Sequence, residues 1–406
     1  MRRDAASRLR IVVLGYIVRG PIGGMAWHHL NYVLGLHRLG HDVLFLEDSD
    51  DYASCYDPST HQMGTDPSYG LRFASQTFGK LDLDDKWGYY DGHTQRWLGP
   101  AADRAIAFCE SADLLLDVSG VNPTRPWYEN ISTRVLIDTD PVFTQIRHLT
   151  SAAARQRAQQ HNAFFTFGEH IGSGQSAAPD DGFAWKPTRQ PVVLDAWPVT
   201  EPPSGGAYTT VMQWDSYPQL DFHGERFGMK SESFQMVQDL PRQSPAPLEI
   251  ALGGGTSPRK TLEERGWRLV DPLAVTRNPW TYQEYLQQSR GEFSVAKHGY
   301  VAGRSGWFSE RTACYLACGR PAVVQDTGFS SIIPCGLGVW AFDNQESALE
   351  GIRQIESNYR ANCRAARELA IEYFDSRKVL TALLEAVYHA PSTRRLELTG
   401  NAGSQP

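Results

Sequence analysis

The segment between Lys297 and Phe329 has the residue pattern of a site that binds a diphosphate group. A loop of small residues leads into a helix predicted over residues 310–317. The first amides of such a helix are unpaired and lie at the positive end of the helix dipole, so they favour phosphate. The candidate ligand-binding residues in and around this helix start are Ser305, Gly306, Ser309, Glu310, Arg311 and Thr312.

A buried strand predicted over residues 322–325 follows this helix. Asp326, Thr327 and Gly328 come directly after the strand. Ligands of α/β sheets bind beyond the carboxyl ends of the strands, so we expect these three residues to contact the same ligand.

A second glycine loop lies near the start of the chain, between a strand at 11–14 and a helix that runs to Leu39. Its Gly23 and Gly24 would let the backbone approach a phosphate closely at the amino end of that helix. The loop places Pro21 inside the turn and lacks the GxGxxG spacing, which argues against a nicotinamide dehydrogenase. A plain tight turn is the alternative.

The composition is that of an ordinary soluble chain. Its 406 residues carry 39 Lys and Arg against 46 Asp and Glu, a net charge of −7, which gives no general attraction for a polyanion. We therefore do not expect nucleic acid as a direct partner. The six cysteines contain no CxxC pair, and no apolar run is long enough for a signal peptide or a membrane span. These features indicate a cytoplasmic protein without a zinc site or disulfide framework.

Short apolar runs alternate with helical segments in both halves of the chain, which predicts an α/β fold with parallel sheets. At this length two domains are expected, and the stretch 197–207, rich in Pro, Ser and Gly, is the predicted linker. The predicted units are an N-terminal domain at 1–196 with an aromatic, irregular or helical insertion at about 50–105, a C-terminal domain at 207–375, a helix at 376–390 that crosses back to the first domain, and a flexible tail at 391–406.

Three blocks of the sequence together resemble the nucleotide-sugar glycosyltransferases of the GT-B fold, of the family 1 and family 4 type. They are PIGGMAWHHLNYVLGLHRLGHDVLFLE, IALGGGTSPRKTLEERGWRLVDP and LACGRPAVVQDTGF. The resemblance covers most of the chain. The order and spacing of the three blocks match those of the family and support the fold assignment. It implies two Rossmann-like βαβ domains facing each other across a cleft. It also implies a nucleotide diphosphate sugar as co-substrate and a metal-independent transfer that uses no other cofactor.

The resemblance assigns the ligand-binding candidates above to the sugar donor. It assigns the acceptor to the N-terminal domain, together with the aromatic segment at 50–105. Because that segment is aromatic and not cationic, it favours a small-molecule or glycosylated natural-product acceptor over a polyanion.

The chain departs from retaining members of the family at two glutamate positions. Aligned on the Ala-Cys-Gly at 317–319, these positions are Gly306 and Cys314. Glu310 lies between them and is the candidate to replace one of their functions. The stretch 306–309 also resembles the Gly-Trp-x-Ser sequence of inverting members, so the stereochemical outcome stays open.

A metal-free site must neutralise the leaving nucleoside diphosphate with cations and helix amides. The resemblance implies a phosphate-binding lysine at Lys230. Arg259 follows the glycine turn at 253–255, and Arg311 belongs to the helix start described above. His298 follows a predicted strand and could contact the pyrophosphate or the sugar. A solvated surface charge is the alternative for each.

An inverting transfer needs a general base near the acceptor hydroxyl. His28 and His29 follow the first glycine loop, and they point about a third of a turn apart on a helix, so only one can face the cleft well. Asp140 ends a predicted strand at the same cleft and is the third catalytic candidate. Although Asp138-Thr139-Asp140 has the letters of a DxD motif, its position in the N-terminal domain argues against metal binding. A structural histidine and ordinary strand-end polarity are the alternatives.

Two other functions remain open on the sequence alone. A sugar-nucleotide epimerase of the same fold would need carboxylates on both sides of the sugar, but they are sparse between 297 and 329. A non-catalytic sugar-nucleotide-binding protein is favoured by the missing glutamates at 306 and 314. A homodimer is compatible with either. The nucleobase, the sugar and the acceptor are not specified.

Overall fold

The computed structural model describes residues 8–201, 203 and 205–388. The predicted tail at 391–406 and the last two residues of the predicted helix at 376–390 lie outside the described residues.

The first half of the chain builds an eight-stranded sheet with the order β10-β9-β8-β7-β1-β2-β5-β6, in which only β6 is antiparallel to its neighbour. The strands are β1 (Arg10–Leu14), β2 (Asp42–Asp48), β3 (Cys55–Asp57), β4 (Gln62–Gly64), β5 (Trp87–Asp91), β6 (Arg96–Leu98), β7 (Leu114–Val118), β8 (Thr133–Asp138), β9 (Ala163–Thr166) and β10 (Trp185–Pro187), with β3 and β4 forming a separate hairpin. The helices are α1 (Gly23–Arg38), α2 (Ser68–Gly79), α3 (Ala105–Glu110), α4 (Phe143–Thr150) and α5 (Ala152–Ala158).

Both faces of this sheet are covered, as the sequence of β1 requires. Ile11 and Val13 pack into the cluster that contains α1, whereas Val12 and Leu14 pack on the opposite face with Phe108 of α3. A strand that is apolar on both faces is typical of a parallel sheet between two helix layers.

The second half builds a six-stranded parallel sheet with the order β15-β14-β11-β16-β17-β18. The strands are β11 (Tyr208–Gln213), β12 (Leu220–Phe222), β13 (Glu225–Phe227), β14 (Leu248–Gly253), β15 (Arg268–Val270), β16 (Gly291–Ser294), β17 (Ala322–Gln325) and β18 (Val339–Phe342), with β12 and β13 forming a hairpin. The helices are α6 (Lys230–Phe234), α7 (Arg259–Glu264), α8 (Pro272–Thr276), α9 (Pro279–Gln288), α10 (His298–Ala302), α11 (Glu310–Ala317), α12 (Gln345–Ser357), α13 (Tyr359–Tyr373) and α14 (Ser376–Tyr388).

The segment expected to be an irregular or helical insertion at about 50–105 is more regular than its sequence suggested. It contains the β3–β4 hairpin and α2, and its β5 and β6 extend the main sheet. Trp87 and Tyr89 of β5 are buried, at 3% and 0% exposure, so these aromatic residues serve the core. The aromatic residues of this segment therefore include core residues as well as candidates for a binding surface.

The chain returns to the first domain after the second sheet is complete. On α14, Ser376 and Leu380 pack against Gly35 of α1. At the predicted linker, Trp197 is fully buried, with its ring 5.0 Å from that of Trp27. The two domains therefore share one continuous core on this side of the molecule.

Candidate functional site

A cleft of about 1580 Å³ separates the two sheets. Its walls come from residues that follow β1, β2, β7 and β8 in the first domain and β11, β14 and β16 in the second. Ligands of α/β sheets bind at such strand ends. Pockets for drug-sized molecules span roughly 300–1,000 Å³, so the cleft has room for two ligands side by side.

On one side of the cleft, α1 packs directly against α9. The Trp27 indole Nε1 donates a hydrogen bond of 2.8 Å to the carbonyl of Pro279. A Cβ atom on Gly23 would lie 2.3 Å from the Asn278 carbonyl oxygen, so only glycine permits this approach. Gly23 was predicted to contact a phosphate, but the structure uses it for helix packing. Gly24 does line the cleft, in front of the Tyr282 ring.

On the other side, a segment of the first domain is bound to a loop of the second. His170 Nδ1 lies 3.0 Å from the Arg304 carbonyl oxygen, and Nε2 lies 3.0 Å from the Ser331 hydroxyl. The amide of Ala177 donates to the Gly303 carbonyl at 2.9 Å. The two domains are therefore in direct contact at both of these places.

Asp140 joins the two domains at the cleft. Its Oδ1 accepts hydrogen bonds from Lys297 Nζ at 2.7 Å and the Tyr300 hydroxyl at 2.5 Å. Its Oδ2 accepts from the Tyr217 hydroxyl at 2.6 Å and Arg147 Nη2 at 3.0 Å. Burial would raise the pKa of Asp140, but the charges of Lys297 and Arg147 outweigh burial and lower that pKa to about 2. We refer to these five residues as the Asp140 cluster.

This geometry corrects the prediction that Asp140 is catalytic. Both carboxylate oxygens are occupied by donors, and the ionised form is strongly favoured, so the group is poorly placed to take a proton from a substrate. The neighbouring Asp138 is equally engaged, because its oxygens accept from Thr144, Gln145 and Thr166.

Lys230 reaches the cleft from the second domain at the start of α6. Within the described part of the chain, no ion pair or hydrogen bond engages its ammonium group. Burial lowers the pKa of Lys230 to about 7, and the charges of Arg311 and Lys297 add to this effect against Glu310 and Glu292. A lysine without a protein partner, near the charges of Arg311 and Lys297, indicates a place where a bound anion would be stabilised.

The amino end of α11 opens into the same cleft. Ser309 is its N-cap and its Oγ accepts from the Arg311 amide at 3.2 Å. Glu310 lines the cleft, and no described residue hydrogen-bonds to its carboxylate. The Arg311 side chain is fixed by an ion pair, in which Nε donates to Glu292 Oε1 at 2.8 Å. The positive end of the α11 dipole therefore lies next to one unengaged carboxylate.

The glycine turn after β14 forms a further part of this wall. Residues 253–255 and Arg259 line the cleft. Arg259 Nη1 donates to the Leu252 carbonyl at 2.7 Å, which holds the guanidinium beside the turn. Lys230, Ser309, Glu310, Arg311 and Arg259 thus all line the second-domain part of the cleft.

His28 lies on the opposite, first-domain wall. Its Nε2 is 3.5 Å from the Ser119 hydroxyl, which is in turn 2.9 Å from the Thr139 hydroxyl. Burial lowers the pKa of His28, with a smaller opposing effect from Glu310. A neutral imidazole at the cleft can accept a proton or a hydrogen bond from a ligand.

The structure does not support the prediction that His29 is catalytic, because its ring points into the core. The side chain is fully buried, and its two nitrogens have no hydrogen-bond partner among the described residues. A Cβ on Gly15 would lie 2.5 Å from His29 Nδ1, so the ring fills the space above β1. Of the two histidines only His28 lines the cleft.

Seven further predicted contacts do not line the cleft: His298, Ser305, Gly306, Thr312, Asp326, Thr327 and Gly328. Ser305 and Thr312 are buried, at 0% and 1% exposure. Gly306 has a φ of +72° and its amide donates to the Thr327 carbonyl at 2.9 Å.

Most of these residues shape the loops that carry the cleft residues. Asp326 Oδ1 accepts from the Gly328 amide at 2.8 Å and so forms its own turn. His298 Nδ1 accepts from the Gly228 amide at 3.3 Å, two residues before Lys230. Small polar residues at a strand end serve loop geometry as readily as ligand binding, and the sequence alone does not separate the two uses.

Several cleft residues had not been singled out from the sequence. Tyr217 belongs to no motif, and Tyr16 resembles any residue that follows a strand. Lys297 follows β16 closely, so its position at a strand end was the available signal. His148 lies in the middle of α4 and becomes noticeable only through its partner Asp181, 33 residues later in the chain.

No family model matches this sequence, and no curated protein sequence matches it. Solved structures do match. An alpha-glucosyltransferase in complex with UDP and a 13-mer DNA has a TM-score of 0.57 at 12% identity, covering 94% of this chain and 99% of that one. HepE from Anabaena, in complex with UDP and glucose, has a TM-score of 0.54 at 12% identity, covering 94% and 100%. AviGT4, a glycosyltransferase involved in avilamycin A biosynthesis, has a TM-score of 0.53 at 11% identity, covering 94% and 99%.

The chain has the GT-B fold. The prediction of two Rossmann-like domains across a cleft is confirmed. Identities near 12% establish the fold alone, so the activity must be argued from the site. Within the described ranges, no helix is long and apolar enough to cross a membrane. In the same residues, no group of three or more His, Cys, Asp and Glu is arranged to hold a metal ion.

The Asp140 cluster predicts a pH-dependent contribution to stability. Asp140→Asn should lower the free energy of unfolding by about 2–4 kcal/mol at pH 7, because it leaves Lys297 and Arg147 without their shared anion. The folded-state pKa of about 2 lies below the unfolded value, so the wild-type advantage should be complete above pH 4 and decline as the pH falls towards 2. Thermal melts of both proteins between pH 7 and pH 3 measure this difference. An undiminished difference at pH 3 would contradict the assignment.

Proposed function

We propose that this protein is a glycosyltransferase that moves a sugar from a nucleotide diphosphate sugar to an acceptor. The observation that carries this proposal is Lys230, a half-buried cation in the cleft without a partner among the described residues. A diphosphate would supply the missing anion. The similar structures that contain UDP support the proposal.

In this proposal the donor binds against the second domain. The diphosphate lies between Lys230, the first amides of α11 and Arg259, which together compensate its charge. As the leaving nucleoside diphosphate gains charge in the transition state, these groups stabilise it more strongly than in the ground state. Arg311, whose charge is paired with Glu292, holds the start of α11 in place beside this site.

Glu310 is proposed to accept hydrogen bonds from hydroxyls of the donor sugar or ribose. Among the carboxylates of described residues that line the cleft, it alone has no hydrogen-bond partner. An epimerase that works with carboxylates on both sides of a sugar would need a second such group. This contrast favours transfer over epimerisation.

The transfer is proposed to proceed without a metal ion or another cofactor. Asp138 and Asp140 have the letters of a metal-binding DxD motif, but their oxygens already accept hydrogen bonds from protein donors that include Lys297 and Arg147. A metal would have to displace these donors. Lys230 and the helix amides offer the compensation that the metal would otherwise provide.

The acceptor is proposed to lie against the first domain, with His28 as the group that takes its proton if the reaction inverts. The neutral form of His28 is favoured by burial, and Ser119 and Thr139 provide polar contacts beside it. A small molecule or a glycoside is the proposed acceptor class. A cytoplasmic location and a homodimer remain proposals from the sequence.

The first experiment is a thermal-shift and calorimetric screen against UDP, GDP, ADP, CMP and dTDP and their common sugars. A ligand that binds only the folded protein must stabilise it, so one nucleotide should raise the melting temperature. Lys230→Gln should weaken its binding by roughly 10- to 100-fold, as expected for loss of a charge-assisted hydrogen bond. Lys378→Gln is the matched control, since Lys378 is exposed on α14 and pairs with Glu372.

The same titration should show linkage to pH. Burial lowers the pKa of Lys230 to about 7, and a bound diphosphate must raise that pKa, so binding at pH 8 should take up a proton. Affinity should therefore fall between pH 7 and pH 9, and this dependence should be weaker in Lys230→Gln. Calorimetry in buffers of different ionisation enthalpy measures the uptake. Binding of equal strength in both proteins at all pH values would reject the proposed diphosphate site.

A second variant tests the acceptor side. His28→Gln should leave nucleotide affinity within about twofold and lower transfer by roughly 10²- to 10⁴-fold, the usual contribution of a general base. Nucleotide release from the identified donor with a panel of glycosides and phenols is the assay. His37→Gln, on the exposed end of the same helix, is the control. Unimpaired transfer by His28→Gln would exclude this histidine as the base.

A further inference from the structure

The first-domain part of the cleft continues along α4 beyond the Asp140 cluster. Helix α4 and the turn after it present one face to the cavity, with the i, i+3, i+4, i+7 spacing of a single helix side. Small side chains of α5 line the same region and leave open space. We refer to the cleft wall formed by Thr144, Arg147, His148, Ser151, Ala153, Ala154, Arg157 and Ala158 as the α4–α5 lobe.

His148 is held rigidly in this lobe. Its Nδ1 lies 2.7 Å from Asp181 Oδ2, and the two side chains are 7% and 1% exposed. Asp181 Oδ1 accepts in turn from the Trp185 indole at 2.9 Å, and the ring of His148 packs against Phe183 and Trp185.

The second ring nitrogen of His148 is available to a ligand. A proton on Nδ1 shared with Asp181 leaves the lone pair on Nε2. No described residue hydrogen-bonds to Nε2, although the side chain is more than nine-tenths buried and lines the cleft. This nitrogen is therefore suited to accept a hydrogen bond from a ligand hydroxyl.

Arg157 is a cation of the lobe that makes only one described hydrogen bond. A guanidinium has five N–H donors, but the described contact of Arg157 is one long hydrogen bond of 3.5 Å from Nη2 to Asp50 Oδ2. The side chain lines the cleft and is 39% exposed. Asp50 has its own second contact, because its Oδ1 accepts from the Asp51 amide. Most of the donor capacity of Arg157 thus remains open to the cleft.

We propose that the α4–α5 lobe binds an anionic, hydroxylated group of the acceptor. In this proposal Arg157 contacts a carboxylate or phosphate, the groups whose geometry a guanidinium matches, and His148 accepts a hydrogen bond from a neighbouring hydroxyl. Helix α4 begins at Phe143, three residues after Asp140, and rises about 7.5 Å from there to His148, so the bound group lies well away from the Asp140 carboxylate. The inference rests on the proposed function for its statement that the bound group belongs to an acceptor.

The test uses the full chain saturated with the nucleotide identified above, so that the donor half of the cleft is occupied. Three small probes are titrated by calorimetry: glucuronate, glycerol 3-phosphate and, as the neutral comparison, methyl glucoside. At least one anionic probe should bind more tightly than the neutral one. Binding of glucuronate alone would identify a carboxylate, and binding of glycerol 3-phosphate alone would identify a phosphate.

Variants then assign the binding to the lobe. Arg157→Gln should weaken binding of the anionic probe at least tenfold, and Arg157→Lys should restore part of it by restoring the charge. Arg38→Gln, a surface arginine that pairs with Asp195, is the matched control and should bind as wild type. His148→Gln should weaken glucuronate binding severalfold and leave nucleotide affinity unchanged.

Two results would overturn the inference: no binding of either anionic probe, or equal binding by Arg157→Gln and wild type. The outcome is separable from that of the proposed function. Probe binding should persist in Lys230→Gln and in the absence of nucleotide. If the protein binds the probes but no nucleotide, the lobe proposal stands and the glycosyltransferase proposal fails. If it binds a nucleotide but no probe, only the lobe proposal fails.

Discussion

The carboxylate of Asp140 is shared between two domains that otherwise present several positive charges to one cleft. Arg147 lies on the same domain as Asp140, whereas Lys297, Tyr217 and Tyr300 come from the other. Without this anion Lys297 and Arg147 would lose their shared partner, which would weaken this contact between the domains. These ion pairs are partly buried, and hydrogen bonds on both carboxylate oxygens compensate Asp140 for its loss of water. Together with the shared core and the His170 contacts, this cluster fixes the two walls of the cleft relative to each other.

Some charged residues of the cleft have protein partners and others have none, and this difference suggests where a ligand binds. Asp138, Asp140 and Arg311 are committed to protein partners, and these contacts shape the walls. Lys230 and Glu310 lack partners among the described residues, and they lie on the second-domain side where the amino end of α11 is also open. A diphosphate for the cation and the amides, with sugar or ribose hydroxyls for the carboxylate, satisfies all of these groups at once.

The fold could be predicted from the sequence because it depends on local patterns. The apolar run at β1, the glycine turn after β14 and the N-cap at Ser309 each specify their element within a few residues. The site was predicted less well because it depends on contacts between distant residues. The engagement of Asp140 requires Lys297, 157 positions away, and His148 acquires its role from Asp181. The sequence alone does not show which of His28 and His29 faces the cleft. The position of β1 beneath α1 decides which ring enters the core.

The missing glutamate at Cys314 can be understood from the same geometry. Cys314 is 3% exposed, and burial raises the pKa of its thiol, so a carboxylate at this position would be desolvated. A small recess off the cleft is lined by both Cys314 and Glu310, which lie one helical turn apart on α11, and by His28 from the first domain. Moving the carboxylate from the second turn of the helix to its first residue keeps it at the recess and places it at the positive end of the helix dipole. In the proposed function Glu310 supplies the carboxylate that position 314 lacks, and this role favours transfer over a protein that only retains the fold.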